Sequence, residues 1–450
     1  MKERISRSIE EKKDLYAKLC DDIWAKPERN FQELYAAKLL TETLTEYGFH
    51  VEQDLAGMPS AFRASFGSGK PVVSFLAEYD ALAGLSQEAC CAEKKAIVPG
   101  GDGHGCGHNS MGPCCIAAAV AMKEIMEQDN IPGTVIVFGC PAEETGGGKS
   151  FLARDGYFDG VDFAISPHPF PDGGFMGPTL ATMQVEYAFS GQASHASAMP
   201  DQGRSALDAA ELMVMGVQFL REHIIQEARI HHAYLDVGGT SPNVVQASAK
   251  LLFYIRAPKG DQVKKIFERI NKVAHGAAIM TETEVTIRHR AGLADLVPNH
   301  VLGQVLSDSW AELGPCVFSP EARSLAEKMA PSVGLENSNV LDESVPVYDP
   351  NAPLLMGSTD VGDVSYIVPS TALNFPGVIK GTPGHSWQWV SQAASPIMHD
   401  GLIHAAKVSA LAGMKLLADP ALAQTAREEL MKKTGCKLVS MLPPNAIPEF

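Results

Sequence analysis

Thr134-Val135-Ile136-Val137-Phe138-Gly139, followed at once by Cys140-Pro141-Ala142-Glu143-Glu144, is the stretch that decides how the chain is read. A short apolar, β-branched run closed by Gly and Pro predicts a buried strand rather than a helix. Ala61 to Phe66, Val72 to Ala77 and Phe163 to Ser166 read the same way, and Pro113 to Glu127 reads as a helix among them. Alternating strands and helices predict a three-layer α/β domain with a mostly parallel central sheet. Ligands gather beyond the carboxyl ends of such strands, which is where Glu143 and Glu144 stand.

Working outward, residues 5 to 47 carry apolar positions at helical spacing, broken by Pro27 and stopped at Gly48, and predict two helices. Residues 183 to 290 read as strand (Met183 to Ser190), helix (Ala206 to His223), strands (Ala233 to Val237 and Ala249 to Ala257), helix (Gln262 to Gly276) and strand (Glu284 to Arg290). That order is the ferredoxin-like split arrangement and predicts an inserted α+β domain. A helix over Leu402 to Leu417 closes the chain. At 450 residues, one core of at most about 250 to 300 residues is exceeded. The division expected is a catalytic domain in two parts, 1–180 and 293–450, with 181–292 inserted between them.

The net charge of −16 disfavours nucleic acid and anionic membranes as partners. The charged N-terminus lacks the apolar stretch of a leader, and the longest apolar run, Cys114 to Met122, is far short of the roughly 18 residues of a membrane span. Nine cysteines, with adjacent pairs at Cys90/Cys91 and Cys114/Cys115, suit reduced thiols and a cytoplasmic protein better than a disulfide framework.

Gly101 to Asn109 interleaves four glycines with His104, Cys106 and His108. Glycine lets such a turn fold tightly enough to aim several donors at one point, and thiolate and imidazole suit zinc and similar ions. A plain surface turn and a Cys-His nucleophilic pair are the competing readings. Of the adjacent Glu143 and Glu144, one can bind metal while the other moves a proton, the division of labour that metal-assisted hydrolysis requires. His168 in Ser166-Pro167-His168-Pro169 and His385 in Gly381-Thr382-Pro383-Gly384-His385 occupy a strand end and a rigid turn. Asp360 and Asp363 read as helix-capping or turn residues.

Together PERNFQE (27–33), AEYDAL (77–82), GHGCGH (103–108), PAEE (141–144), SPHP (166–169), GQASHASAMPDQGRSALDA (191–209) and TPGHS (382–386) resemble, in order and over nearly the whole chain, one known family. It is the co-catalytic metallopeptidase family of aminoacylase, glutamate carboxypeptidase and the auxin-conjugate hydrolases, and the nearest branch is of the aminobenzoyl-glutamate hydrolase type. The resemblance implies two divalent ions, Zn or Mn, held by Cys106, His108, Glu144, His168 and His385, with Glu143 as general base. Asp80 would stand behind a ligand, because the family's His-x-Asp has become Glu78-Tyr79-Asp80. His195 would steady the oxyanion, often across a homodimer formed by the inserted lid domain, and Arg256 and Asn243 would bind the substrate's carboxylate. The implied reaction is hydrolysis of the amide bond in N-acyl amino acids, aminobenzoyl-glutamate-like conjugates or dipeptides. A non-catalytic metal-binding assembly protein and a metal-independent cysteine hydrolase are the alternatives. The branch usually has Asp where this chain has Asn109, which leaves that position without a role. Leu85 to Pro99 and Pro331 to Pro353 are candidate pocket walls.

Overall fold

A computed structural model describes residues 1–336, 339–443 and 445–449. The strands are β1 (His50–Gln53), β2 (Phe62–Ser68), β3 (Val72–Ala77), β4 (Gly133–Gly139), β5 (Phe163–Phe170), β6 (Gly174–Phe175), β7 (Ala181–Ser190), β8 (Arg229–Asp236), β9 (Ser248–Ala257), β10 (Glu284–Leu293) and β11 (Ser370–Pro376). The large sheet has the order β1-β2-β4-β3-β5-β11-β6. Its centre, β4, β3, β5 and β11, is parallel, while β1, β2 and β6 run antiparallel at the edges. Helices Met111–Asp129 and Pro396–Ala418 pack on one face of it and bury Cys114 to Met122 and most of their own apolar length. Pro396–Ala418 is long and apolar enough to cross a membrane, but most of it lies inside this core.

The small sheet has the order β10-β7-β9-β8, all antiparallel, with helices Ala206–Leu220 and Gly260–Thr281 against it. This is the ferredoxin-like arrangement, with its own core. Its strands alternate with period two: Met183, Val185, Tyr187 and Phe189 of β7, like Leu251, Phe253 and Ile255 of β9, are buried under the helices. Thr182 and Gln184 pair in register with Arg256 and Tyr254 on the opposite face.

Several elements differ from expectation. The N-terminal region forms three helices, Lys2–Glu10, Lys13–Trp24 and Leu34–Glu46, because Lys12 takes non-helical angles and Asn30 and Phe31 adopt positive φ after Pro27. β5 runs on through His168, which pairs with Asn374 of β11, so this histidine lies within the strand rather than beyond it. β8 begins at Arg229, not Ala233, and the last expected helix is extended to Pro396 by the Ser395 cap and followed by Pro420–Thr434. β1, β6 and β11 have no counterpart in the expectation.

Candidate active site

All four parallel strands deliver functional groups at their carboxyl ends. Glu78 and Asp80 follow β3, Glu143 and Glu144 follow β4, His168 lies near the end of β5, and the turn bearing His385 follows β11. The Gly101–Asn109 loop adds Cys106 and His108 before helix Met111–Asp129. Gly107 has φ +80, and a Cβ there would lie 2.7 Å from Pro169 Cγ and 2.9 Å from Trp389 Nε1, so the turn needs glycine. The His385 amide donates to the Gly105 carbonyl at 3.1 Å and joins the two distant loops.

His108 and His168 are each fixed by Nδ1, and their Nε2 atoms face Glu78 Oε2 at 3.3 Å and Cys106 Sγ at 3.5 Å. His108 Nδ1 is 2.7 Å from Asp80 Oδ1, and His168 Nδ1 is 2.8 Å from the Pro169 carbonyl. Donation from Nδ1 would leave Nε2 of a neutral ring with a lone pair, the arrangement that metal-binding histidines adopt. Asp80 uses its other oxygen to accept from the Glu144 amide at 2.9 Å, so one buried carboxylate orients the segments of two donors at once.

Two donor groups share Cys106, Cys106 with His108 and His168 and Cys106 with Glu144 and His385, and a third beside them joins Glu78, His108 and Glu143. Two donors on one tetrahedral ion sit about 3.3 Å apart for N and O and about 3.6 Å for N and S, given bonds of about 2.0 to 2.1 Å and 2.3 Å. The chain shows 3.2 Å between Glu144 Oε1 and His385 Nε2, and 3.5 Å between Cys106 Sγ and His168 Nε2. His108 Nε2, Glu144 Oε1 and Glu78 Oε2 are buried without a hydrogen-bond partner. They face charged groups at close range, His108 Nε2 3.3 Å from Glu78 Oε2 and Glu144 Oε1 3.2 Å from His385 Nε2, but buried polar atoms without a hydrogen bond cost free energy unless something coordinates them, so the donor set fits a pair of divalent ions.

The electrostatics agree. Burial, then Glu144, pushes the Cys106 thiol up, while burial and the neighbouring His108 push His168 down to about 4. The second imidazole beside the thiol, His108, moves the other way: burial opposes its charge, but Cys106, Asp80 and Glu78 override it and hold His108 well above the usual histidine range. Burial pushes Glu144 up as well, but the adjoining His385 imidazole and His108 override it and hold the carboxyl at about 2. Burial, Glu78 and Glu144 raise Glu143 well above the usual carboxylate range.

These groups open on a cavity of about 500 Å³ lined by Cys106, Glu143, Glu144, His168, His385 and, from the far side, Arg256. The open face of the small sheet closes it with Thr182, Gln184 and Tyr254, and Arg256 Nη1 donates to Ser358 Oγ at 2.7 Å. Phe170, Leu355 and Met356 make part of the wall apolar. Neither Leu85 to Pro99 nor the described part of Pro331 to Pro353 reaches it; the wall is 355–359 instead, and residues 337 and 338 lie outside the described residues.

His195 and Asn243 are not brought to the cavity. Both lie on the surface of the small unit and adjacent to each other, with the Ala196 amide donating to the Asn243 carbonyl at 3.0 Å. Asn109 turns away from the donors and donates its side-chain amide to the Ala393 carbonyl at 2.8 Å, locking the loop to helix Trp387–Ala393. Asp360 stands at the N-cap position of helix Val361–Ser365 but its side chain does not cap that helix, and Asp363 lies inside it. Asp360 accepts from the Lys149 amide and ammonium, and Asp363 from Ser150 Oγ and the Ala294 amide, all buried. Sequence reasoning misses Lys149 and the ligand-like position of Glu78, since no local pattern marks either. Tyr254, two residues before Arg256 on a strand, is legible by period two alone.

Residues 75–412 match the model of Peptidase family M20/M25/M40. The chain is 41% identical to one subunit of the p-aminobenzoyl-glutamate hydrolase of Escherichia coli (strain K12), over 96% of this chain and 95% of that protein. It is 29% identical to Xaa-Arg dipeptidase of Mus musculus, over 97% and 93%. The crystal structure of a Bacillus subtilis dinuclear metal binding peptidase from the M20 family shares the fold, with a TM-score of 0.60 and 18% identity over 90% of this chain and 98% of that one. Amide-bond hydrolases stand among these relatives, and the donor groups around Cys106 form a candidate metal site: the chain belongs to Peptidase family M20/M25/M40 and is a metal-dependent amide hydrolase.

Proposed function

We propose that the chain hydrolyses N-acyl amino acids that carry a free carboxylate, with p-aminobenzoyl-glutamate, the substrate in the name of its 41% identical relative, as the first to test. The observation that carries this reading is the meeting, in one cavity, of two donor groups sharing Cys106, the unbound carboxyl of Glu143, and the guanidinium of Arg256. Cys106, His108 and His168 would hold one ion and Cys106, Glu144 and His385 the other, with Zn or Mn the ions suited to such donors. Bound there, they supply Lewis acidity to water and to the scissile carbonyl.

The chain's own residues do the rest. Glu143 takes the proton of the attacking water and returns it to the leaving amine, acting as base and then acid. Arg256, held by Ser358, binds the substrate's carboxylate with its planar fork. Phe170, Leu355 and Met356 offer an apolar seat for an aryl-acyl group. Asp80 sets the tautomer of His108.

His195 and Asn243 are assigned to the cavity of a second copy, His195 as oxyanion donor and Asn243 as a contact to the substrate. Support comes from the small unit's edge: strand β8 carries the exposed Tyr234 and Leu235, and the neighbouring helix the exposed Met215 and Phe219. A homodimer built there would cover this apolar strip. The 41% identical relative is named as one part of a multi-component enzyme, which makes a complex with a different chain the alternative. The lid and dimerisation domain is taken as 181–292, with 1–180 and 293–450 forming the catalytic domain. Nine free thiols fit a cytoplasmic setting.

The test is amine release by protein stripped with chelator and reloaded with Mn or Zn, against N-acyl amino acids, p-aminobenzoyl-glutamate and dipeptides. Activity lost to the chelator and regained with metal, selective for a free carboxylate, is expected. Activity that survives full stripping would support the cysteine hydrolase instead, and a loaded protein that cleaves nothing would support the non-catalytic alternative.

A further inference from the structure

Lys149 is fully buried, and its ammonium stands 2.6 Å from Glu78 Oε1 and 2.6 Å from Asp360 Oδ1, while its amide donates to Asp360 Oδ2 at 2.9 Å. Three charges removed from water are a poor source of stability, since well-packed apolar residues serve as well or better. Their positions say more. Glu78 turns its second oxygen, which has no hydrogen-bond partner, to within 3.3 Å of His108 Nε2, the atom assigned to the metal. Asp360 ends the segment 355–359 that walls the cavity, two residues from the Ser358 hydroxyl that holds Arg256. Lys149 itself opens helix Gly148–Arg154, directly after the Glu143–Gly147 loop.

We propose that Lys149 is a positioning residue that sets both ends of the cavity, aiming Glu78 at the His108 metal position and, through Asp360, fixing the Ser358–Arg256 grip on the substrate. This rests on the metal and carboxylate roles argued above. The chain of contacts runs from one sheet to the other without a gap: His108, Glu78, Lys149, Asp360, then the backbone to Ser358 and Arg256. Burial opposes the charge on Lys149, but Asp360 and Glu78 override it, so the ammonium persists.

The experiment uses the full chain stripped of metal and titrated with Co²⁺, whose thiolate charge-transfer band reports Cys106, together with kcat and KM on the reloaded enzyme. Lys149→Met, folded by circular dichroism, is expected to weaken Co²⁺ binding by about 10- to 100-fold and shift the band, with Lys149→Arg partly restoring both. Asp360→Asn is expected to raise KM by about tenfold with Co²⁺ affinity within about threefold of the parent. Its effect on KM should be non-additive with that of Ser358→Ala. Folded variants with parental Co²⁺ affinity, band and KM overturn the proposal while leaving the metal site standing. If Lys149→Met does not fold, the Asp360/Ser358 pair decides, and additive KM effects overturn it. A parent protein with no thiolate band overturns the metal assignment and this proposal with it.

Discussion

The large sheet and the small sheet contribute to the cavity in opposite ways. From the large sheet, Cys106, His108, Glu143, Glu144, His168 and His385 arrive on three strand ends and one glycine-rich turn, held by Asp80 from a fourth strand end and by contacts such as His385 to Gly105. From the small sheet, Arg256 arrives on an open face, while His195 and Asn243 stay outside on the surface. The first half is complete within one chain. On the proposed reading the second half needs another surface, which would separate chemistry built by the fold from chemistry built by association.

The largest expected effect lies in the self-contained half. Glu143→Gln keeps the shape of the loop and removes the proton acceptor, so kcat should fall by about 10² to 10⁴ while two metals per chain remain bound, as counted by elemental analysis. A near-parental kcat would remove Glu143 from its role. In the shared half, His195→Ala should lower kcat by about 10² to 10³ if it donates to the oxyanion. Mixing His195→Ala with Glu143→Ala, each nearly inactive, should then restore about a quarter of parental activity, because half of the dimers formed at random are mixed and each mixed dimer holds one intact site. No recovery, with mixed dimers shown to form, would place His195 in its own chain's site or in none. Arg256→Met should raise KM for carboxylate substrates by about 10- to 100-fold with little change in kcat, and lose discrimination against the corresponding amide.

The same contrast explains what the sequence makes legible. β4 and its Glu143-Glu144 can be read because an unbroken apolar run closed by Gly and Pro has few other solutions. The small unit's order can be read because β7 and β9 alternate strictly. β11 cannot, since Ser370-Thr371-Ala372-Leu373-Asn374-Phe375-Pro376 opens on two hydroxyl residues and carries Asn374, so no unbroken apolar run marks it. Asp360, Asp363 and Asn109 escape a local reading because their partners, Lys149, Ser150 and Ala393, lie more than 200 residues away, and local preference describes only neighbours. The break at Lys12 in the first helix is invisible for the reverse reason: nothing in Glu11-Lys12-Lys13 forbids helix, and packing alone divides it.

The smallest expected effect is on stability, and it probes a motif residue whose part is structural. Glu33, in the PERNFQE segment, is fully buried and accepts from the Phe31 amide at 3.1 Å and from Ser60 Oγ at 3.0 Å. Burial, then the nearby Asp80, pushes its carboxyl up to about 7. The folded pKa lies above the unfolded one, so the folded state holds the extra proton; that stabilisation is complete below about pH 4.5 and is lost as the pH rises through about 7. Glu33→Gln keeps the acceptor for Phe31 and offers an amide to Ser60, whose hydroxyl can donate to the Phe31 carbonyl at 3.0 Å instead. It should therefore match the parent near pH 5 and exceed it by about 1 to 3 kcal/mol above pH 8, since each pH unit by which the folded and unfolded pKa differ is worth about 1.4 kcal/mol. Urea unfolding of the metal-stripped proteins at both pH values measures this. Equal stability at pH 8 would mean that Glu33 ionises in the folded protein at little cost, with Ser60 and the Phe31 amide solvating the carboxylate well enough to offset its burial.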